Sequence, residues 1–266
     1  MQIIDTHTHY DDEAFEQDRE ALLESLPGKG IEKVIDVGAT VDSAYEAFRL
    51  AKKWPHVYCA LGVHPNEVGE LTDEILSDFE RLSGEPKVTA IGEIGLDYHH
   101  EEPGREVQAV WFRKQIQLAR RTGLPVIIHS RDAAQDTLEL LREERAEEAG
   151  GVIHCYSYSP EMAQIYVGMG FYLGIGGVVT YPNARKLKET VQSVPMERIL
   201  LETDCPYLTP APHRGKRNSS LYLPHVVDAI ASLRGMSAQE VIDITRENAL
   251  RCFPKLKNPQ EIQAAG

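Results

Sequence analysis

Eight short runs rich in valine, isoleucine and leucine are spaced along this chain, and charged stretches with a helical period separate them. Near-continuous apolar runs of this length are typical of strands that are buried on both faces of a parallel sheet. The predicted strands are residues 3–4, 33–37, 57–61, 88–91, 125–128, 151–153, 171–173 and 198–201. The predicted helices are residues 18–26, 43–53, 73–82, 106–121, 132–147, 160–169, 183–191, 223–233 and 238–250.

The alternation of strand and helix, about eight times in about 250 residues, is the pattern expected of a (β/α)8 TIM barrel. The alternative is an open, doubly wound sheet, which normally has a glycine-rich phosphate-binding turn after its first strand. In this chain histidines occupy that position. No linker rich in proline, glycine or serine divides the sequence, so we predict a single domain over residues 1–254 and a polar C-terminal tail over residues 255–266.

Composition and charge restrict the classes of protein to which the chain can belong. No apolar run is long enough to cross a bilayer, and the charged first residues do not resemble a signal peptide, so we expect a cytoplasmic protein with no membrane partner. The four cysteines form no C-x-x-C pair, which fits reduced thiols. The net charge of −13 argues against general attraction to nucleic acid, but not against binding of phosphates through metal ions. A closed barrel leaves no strand edge open, so we expect a monomer.

A pair of histidines, His7 and His9, follows the first apolar run. Residues i and i+2 of a strand point to the same face, so both imidazoles can reach one point in space. Two imidazoles that converge in this way are a common beginning of a transition-metal site. A His-x-His pair alone is weak support for such a site, so the residues at the other strand ends decide the matter.

Further residues that can bind metals follow the other apolar runs, namely His64, Glu93, His129, His154 and Asp204. TIM-barrel active sites lie at the carboxyl ends of the strands, so these side chains are predicted to converge. Taken singly, a histidine such as His129 is more often a hydrogen-bonded core residue, but an ionised carboxylate inside a barrel needs a cation or several donors. Six ligands are too many for one zinc ion and suit two ions that share a carboxylate. The predicted metal ligands are His7, His9, Glu93, His129, His154 and Asp204.

The segments around these residues form a specific pattern: Asp5-Thr6-His7-Thr8-His9, Gly62-Val63-His64-Pro65, Gly92-Glu93-Ile94-Gly95-Leu96-Asp97-Tyr98, Ile128-His129-Ser130-Arg131, His154-Cys155-Tyr156 and Glu202-Thr203-Asp204-Cys205-Pro206-Tyr207. In order and spacing, over nearly the whole chain, they resemble the TatD family of metal-dependent deoxyribonucleases, which belongs to the amidohydrolase-like metal barrels. Many of those barrels bridge their metals with a carbamylated lysine on strand four, whereas this chain offers Glu93 there. That difference favours TatD over dihydroorotase-like or phosphotriesterase-like relatives.

The resemblance implies a role for each predicted ligand. His7 and His9 hold one metal ion together with Asp204, and the two remaining histidines hold a second one. Glu93 bridges the two ions. Asp204 also takes a proton from the attacking water, so Asp204 and Glu93 are the predicted catalytic residues.

Three side chains are candidates for contacts with a substrate phosphate: His64, Arg131 and Arg217. His64 has two alternative roles, as a further metal ligand or as a structural residue. Arg217 belongs to a basic segment, residues 213–218, that can equally be a solvated charged loop. Family members often have a proline soon after the Arg-Asn pair of this loop, whereas this chain has Ser219-Ser220, which leaves the role of the loop open.

The function implied by the resemblance is a deoxyribonuclease that trims single-stranded ends of nucleic acid from 3′ to 5′ and releases 5′-phosphate nucleotides. The mouth of a barrel is a pocket, which fits a strand end better than the middle of a duplex. The ligands favour Zn²⁺, Mn²⁺ or Ni²⁺ over Mg²⁺, while the family implies support by Mg²⁺. One alternative is a hydrolase of a small ester, lactone or amide with the same pair of metals, and another is a non-catalytic, metal-dependent binding protein.

Overall fold

Eight parallel strands form the centre of the molecule in residues 2–100 and 102–257, the part of the chain that the computed structural model describes. The strands pair in sequence order and are β1 (Ile3–Thr8), β2 (Ile31–Val37), β3 (Val57–Leu61), β4 (Val88–Asp97), β5 (Val126–Arg131), β6 (Gly151–Ile153), β7 (Tyr172–Ile175) and β8 (Ile199–Leu201). They form a nearly closed barrel with helices between them. The predicted (β/α)8 TIM barrel is therefore confirmed, and the open sheet is wrong.

The described part of the chain also contains nine α-helices, which surround and cap the barrel. They are α1 (Arg19–Ser25), α2 (Val41–Lys53), α3 (Asp73–Leu82), α4 (Arg105–Thr122), α5 (Ala134–Glu143), α6 (Pro160–Gly168), α7 (Arg185–Ser193), α8 (Leu223–Arg234) and α9 (Ala238–Cys252). Local sequence determines where α2 and α9 begin, because Thr40 with Ser43 and Ser237 with Glu240 form capping boxes there. None of the helices in this part of the chain is both long and apolar enough to cross a membrane.

The strands β1, β4 and β5 extend several residues further than predicted, and the additional residues include site residues. In the sequence, the polar residues that follow each apolar run predict that the strand ends there. The backbone pairing nevertheless continues, and Asp97 of β4 still pairs with Arg131 of β5. His7, Glu93 and His129 therefore lie within strands and not in the loops that follow them.

The barrel closes where β1 and β8 meet. A backbone bridge there joins Thr8 of β1 to Cys205, which follows β8. Buried Asp5 of β1 completes this seam. Its carboxylate accepts hydrogen bonds from the backbone N–H of Thr203 (3.0 Å), the hydroxyl of Thr203 (2.7 Å) and the hydroxyl of Ser220 (2.6 Å). Burial raises the pKa of Asp5 to about 7, although these hydrogen bonds lower it. Side-chain hydrogen bonds thus reinforce the closure of the barrel.

The amino-terminal end of the barrel is covered by α9 and the turn that follows it. Buried Asn248 of α9 donates hydrogen bonds from Nδ2 to the carbonyl oxygens of Met196 (2.7 Å) and Ile199 (2.9 Å), which ties the helix to the start of β8. Pro254–Leu256 forms a 3-10 turn in which Leu256 is fully buried. The fold therefore includes residues 255–256, the first residues of the predicted polar tail. The rest of that predicted tail, residues 258–266, lies outside the described residues.

Candidate active site

A cavity of about 890 Å³ lies at the carboxyl ends of the strands. Its lining includes five of the six predicted metal ligands, namely His9, Glu93, His129, His154 and Asp204. The sixth, His7, is fully buried behind this lining. The strand order thus brings together side chains that are far apart in the sequence.

The first group of metal-capable donors joins the two histidines of β1 to a carboxylate that follows β8. The Nε2 atoms of His7 and His9 lie 3.1 Å apart, and Asp204 Oδ1 lies 3.7 Å from the first and 3.4 Å from the second. Glu93 Oε2 lies 3.5 Å from His7 Nε2. The Nδ1 atom of His9 is 2.9 Å from the carbonyl oxygen of Val37, which accepts its proton. This bond holds the ring with Nε2 toward the other donors.

The second group of donors surrounds the other oxygen of Glu93. The Oε1 atom lies 2.8 Å from His129 Nδ1 and 2.9 Å from His154 Nε2. His64 Nε2 lies 3.9 Å from the same oxygen, at the edge of the group. One carboxylate therefore faces both groups of donors and presents one oxygen to each.

The backbone of β4 turns Glu93 into the barrel, because the register between β4 and β5 shifts at this point. The N–H group of Glu93 donates to the carbonyl oxygen of Gly38 (3.0 Å). A Cβ atom on the preceding Gly92 would lie 2.6 Å from the Cβ atom of Ile127, so a larger residue does not fit there. Burial raises the pKa of the Glu93 carboxyl, but the surrounding histidines, above all His154, outweigh it and hold this pKa well below its usual range.

The chemistry of these donors fits divalent metal ions. Burial lowers the pKa of His9, but Asp204 and Glu93 outweigh this effect and raise it to about 10, so the carboxylates of the site attract positive charge. The Nδ1 atom of His7 is buried and has no hydrogen-bond partner in the described part of the chain. Imidazole nitrogens and carboxylate oxygens are ligands that Zn²⁺ and Mn²⁺ accept. Two sets of three donors lie close enough together to share an ion, namely His7 with His9 and Asp204, and Glu93 with His64 and His129.

Two buried carboxylates to which the sequence analysis assigned no role support the histidines. Asp97 Oδ2 lies 3.2 Å from His129 Nε2. Glu202 Oε1 lies 3.6 Å from His154 Nδ1 and accepts a hydrogen bond from the backbone N–H of Cys155 (2.5 Å). A carboxylate within hydrogen-bond distance, as Asp97 is of His129, orients the ring of a metal-binding histidine. The sequence did contain a signal for this role. Asp97 and Glu202 stand close to predicted ligands at the strand ends, and a buried carboxylate there needs a partner.

The three predicted phosphate contacts lie in two different places. His64 and Arg131 line the cavity. Burial lowers the pKa of His64 to about 4, so its ring is neutral near pH 7. Arg217 lies elsewhere: its guanidinium donates to both carboxylate oxygens of Asp18 (2.7 and 2.6 Å) and covers the ring of Phe15 at 4.6 Å. The sequence did not reveal this ion pair, because the two partners are 199 residues apart.

Comparison with known proteins identifies the family of this chain. The family described as TatD related DNase matches residues 4–254. This chain belongs to the TatD-related DNase family. It is 42% identical over 251 residues to the uncharacterized metal-dependent hydrolase YabD of Bacillus subtilis, which covers 94% of this chain and 98% of the relative. It is 39% identical over 260 residues to the uncharacterized metal-dependent hydrolase TatD of Mycobacterium tuberculosis, which covers 94% and 97%.

Solved structures of TatD proteins have the same fold. The crystal structure of YjjV, a TatD homolog from Escherichia coli, matches with a TM-score of 0.89 and 32% identity, over 95% of this chain and 98% of that one. A TatD family hydrolase from Entamoeba histolytica matches with a TM-score of 0.85 at 22% identity, over 95% and 98%. The TatD chain described here is thus a metal-dependent hydrolase with candidate metal-binding clusters at the mouth of its barrel.

Proposed function

We propose that this protein is an exodeoxyribonuclease that uses two divalent metal ions to remove 5′-mononucleotides from the 3′ end of single-stranded DNA. Glu93 carries the proposal, because its two oxygens face two separate groups of donors. The Oε1 atom lies 2.8 Å from His129 Nδ1, and the Oε2 atom lies 3.5 Å from His7 Nε2. A carboxylate shared between two ligand sets is the arrangement that two-metal hydrolases use. The candidate ions are Zn²⁺, Mn²⁺ and Mg²⁺.

The shape of the cavity favours a strand end over the middle of a duplex. Its volume of about 890 Å³ lies within the range of small-ligand sites. The packed side chains inside the barrel close it from below, as in other barrels of this size. A terminal nucleotide can enter such a pocket while the rest of a single strand leaves through the mouth.

The protein's own groups have defined tasks in this proposal. Bound divalent ions would supply Lewis-acid chemistry, that is, activation of water and neutralisation of phosphoryl charge. Asp204 contacts His9 at 3.4 Å while 17% of its side chain stays exposed, so it can accept the proton of the attacking water. Arg131 lines the cavity and binds a non-bridging phosphate oxygen. His64 Nδ1 accepts a hydrogen bond from the backbone N–H of Asn66 (3.2 Å). The neutral ring therefore has its proton on Nε2 and can donate it in a hydrogen bond to a substrate phosphate.

The bonds that change follow from this arrangement. The oxygen of the attacking water forms a bond with the phosphorus while its proton passes to Asp204, and the bond from phosphorus to the 3′ oxygen of the preceding nucleotide breaks. The leaving 3′ oxygen takes a proton from solvent water, and Asp204 returns its own proton to the solvent. The released nucleotide keeps a 5′-phosphate, and the shortened strand ends in a 3′-hydroxyl. Each cycle therefore leaves a new end that the same cavity can bind.

Release of nucleotides from end-labelled single-stranded oligonucleotides tests the proposal. We expect early loss of a 3′ label, late loss of a 5′ label, inhibition by EDTA and recovery with Mg²⁺, Mn²⁺ or Zn²⁺. Asp204→Asn should abolish hydrolysis and leave the circular dichroism spectrum unchanged. Lys29→Gln, an exposed residue at the opposite end of the barrel, is the control and should retain full activity. Full activity of Asp204→Asn would contradict the role of this residue as proton acceptor.

The same experiment separates the alternatives. Failure to release nucleotides with any of the three ions, together with hydrolysis of carboxyl esters, lactones or amides, would assign the site to small substrates. Stoichiometric metal binding without hydrolysis of any of them would indicate a binding protein. We also propose that the protein acts as a monomer, and light scattering at the elution peak of a sizing column would detect a dimer.

A further inference from the structure

The charged residues around the mouth of the barrel are distributed unevenly. The chain has 41 acidic residues, yet residues 176–188 after β7 and residues 205–227 after β8 contain no aspartate or glutamate. The same two segments contain six lysines and arginines: Arg185, Lys186, Lys188, Arg214, Lys216 and Arg217. The loops after β1 and β3 are acidic, and Asp11, Asp12 and Glu67 from these loops line the cavity. The mouth therefore has an acidic sector and a basic sector.

The two basic segments are packed against each other as one surface beside the cavity. The hydroxyl of Tyr181 donates to the carbonyl oxygen of Thr209 (2.9 Å). The N–H group of Ala211 donates to the Thr180 hydroxyl (2.8 Å). A Cβ atom on Gly177 would lie 2.1 Å from a backbone oxygen of the other segment, so the two backbones are in direct contact. Both segments also contribute to the rim of the cavity, with Val178 from the first and Tyr207 and Leu208 from the second.

The basic groups of this surface are exposed and mostly free of acidic partners. The guanidinium of Arg214 lies over the ring of Tyr181 at 4.2 Å. Within residues 2–100 and 102–257, neither Arg214 nor Lys216 forms an ion pair, and both are exposed. The side chain of Arg185 is 82% exposed and lies 3.7 Å from Glu189, a contact that contributes little in water. Their charges are therefore available to a ligand.

Two of these basic residues lie where their positive charge destabilises a helix. Arg185 and Lys186 occupy the first turn of α7, where the positive end of the helix dipole disfavours basic side chains. The first turn of α7 contains no acidic residue, whereas α2, α3 and α9 each have at least one there. Because the helix follows a strand of the barrel, its first turn faces the mouth. Positive charge is thus concentrated beside the cavity despite a local cost.

We propose that the basic rim, defined as Arg185, Lys186, Arg214 and Lys216, binds the phosphate backbone of the single-stranded polynucleotide whose 3′ end occupies the cavity. This inference rests on the proposed function. The acidic sector repels the backbone, so the strand leaves the cavity over β7 and β8. Arg217 is not part of the rim, because Asp18 neutralises it. The rim also explains how a chain with a net charge of −13 can hold a polyanion.

Binding of a fluorescent oligonucleotide to the metal-loaded protein tests the rim. The probe is a single strand of about 20 nucleotides, longer than one binding site, with phosphorothioate linkages at its 3′ end to prevent cleavage. The double variant Arg214→Gln/Lys216→Gln should bind about tenfold more weakly at low salt. The slope of log affinity against log salt should fall by about 1.4, which is two phosphate contacts on a single strand. Lys29→Gln/Arg142→Gln removes the same charge from exposed positions outside the rim and should bind like the wild type.

Kinetics on substrates of different length provide a second readout. The rim variant should have a higher KM for the long oligonucleotide and an unchanged rate on a dinucleotide, which is too short to reach the rim. Equal affinities and salt slopes for the rim variant and the control variant would overturn the inference. Competition by polyglutamate as strong as by unlabelled DNA of equal charge would overturn it too, because the surface would then bind any polyanion.

The two proposals fail in different ways. A wild-type protein that cleaves DNA but shows no difference between rim and control variants would contradict the rim alone. A protein that binds the oligonucleotide through the rim and releases no nucleotide with any ion would contradict the nuclease alone.

Discussion

Asp97 Oδ2 lies 3.2 Å from Nε2 of His129, on the side of the ring away from the cluster of histidines that surrounds Glu93. The other ring nitrogen, Nδ1, lies 2.8 Å from Glu93 Oε1. A carboxylate at Nε2 keeps the proton on that nitrogen and leaves the Nδ1 lone pair for a metal ion. The distance between Asp97 and His129 therefore determines how the second donor group can bind its ion.

Replacement of Asp97 by alanine should weaken metal binding. The ring of His129 would lose its acceptor at Nε2, and loss of such a partner typically costs about 10- to 100-fold in metal affinity. Asp97→Asn keeps an acceptor oxygen and should lose less. Titration of the metal-free protein with Mn²⁺ or Zn²⁺ measures both affinities. Wild-type affinity of the alanine variant would show that Asp97 does not position the ring.

A methyl group at Gly95 should displace the backbone that carries His129. A Cβ atom on Gly95 would lie 1.9 Å from the carbonyl oxygen of His129, and the φ of +153° is one that residues with side chains rarely adopt. We expect Gly95→Ala to lower the free energy of unfolding by about 2–3 kcal/mol and to reduce activity. Urea unfolding and nucleotide release measure the two effects.

The matched control is Gly84→Ala, because a Cβ atom there meets only a carbonyl oxygen at 3.5 Å. That substitution should change stability by less than about 1 kcal/mol. Equal effects of the two substitutions would refute the steric argument for Gly95.

Removal of the carboxylate of Asp5 should weaken the closure of the barrel. Asp5→Ala leaves the N–H and hydroxyl of Thr203 and the hydroxyl of Ser220 without their acceptor in a buried place. Unsatisfied buried donors cost about 1–3 kcal/mol each, and we expect a total loss of roughly 3 kcal/mol after the hydroxyls rotate. Asp5→Asn retains the shape and one acceptor and should lose less. Thermal unfolding of both variants tests this, and an alanine variant as stable as the wild type would be the contrary result.

The sequence was sufficient to predict the barrel and the convergence of the six candidate ligands at its mouth, and the reason is physical. Parallel strands end at one edge of the sheet, so metal-capable residues after separate apolar runs, such as His7 and His154, must converge in a barrel. The residue types at these ends are also rare in a core unless they bind something, as is true of Glu93.

The roles of Asp97 and Arg217 could not be predicted in the same way. Which histidine nitrogen meets Asp97 depends on the register of β4 with β5, and that register shifts within the strands. Arg217 meets Asp18 only because the loops after β1 and β8 touch across the seam of the barrel. Tertiary geometry determines such pairings, and residue types alone do not predict them.

An ion pair between β2 and α9 should make stability depend on pH. Arg246 donates to both carboxylate oxygens of Glu32, from Nε to Oε2 at 2.6 Å and from Nη2 to Oε1 at 3.0 Å. Lys33 Nζ lies 2.9 Å from Glu32 Oε1. Burial raises the pKa of Glu32, but these hydrogen bonds outweigh it and the pKa in the folded protein is below 4.5. The ionised pair therefore stabilises the fold at neutral pH.

The sign of the pH dependence follows from that direction. The contribution of Glu32 is fully present above its ordinary pKa of 4.5 and is lost as the pH falls through the lower value of the folded state. Glu32→Gln should lower the free energy of unfolding by about 1–2 kcal/mol near pH 7, a magnitude typical of hydrogen bonds to charged groups. The difference from the wild type should shrink in urea unfolding experiments as the pH is lowered below about 4.5. A difference that stays constant from neutral to acidic pH would mean that the charge of Glu32 contributes nothing and that only its packing matters.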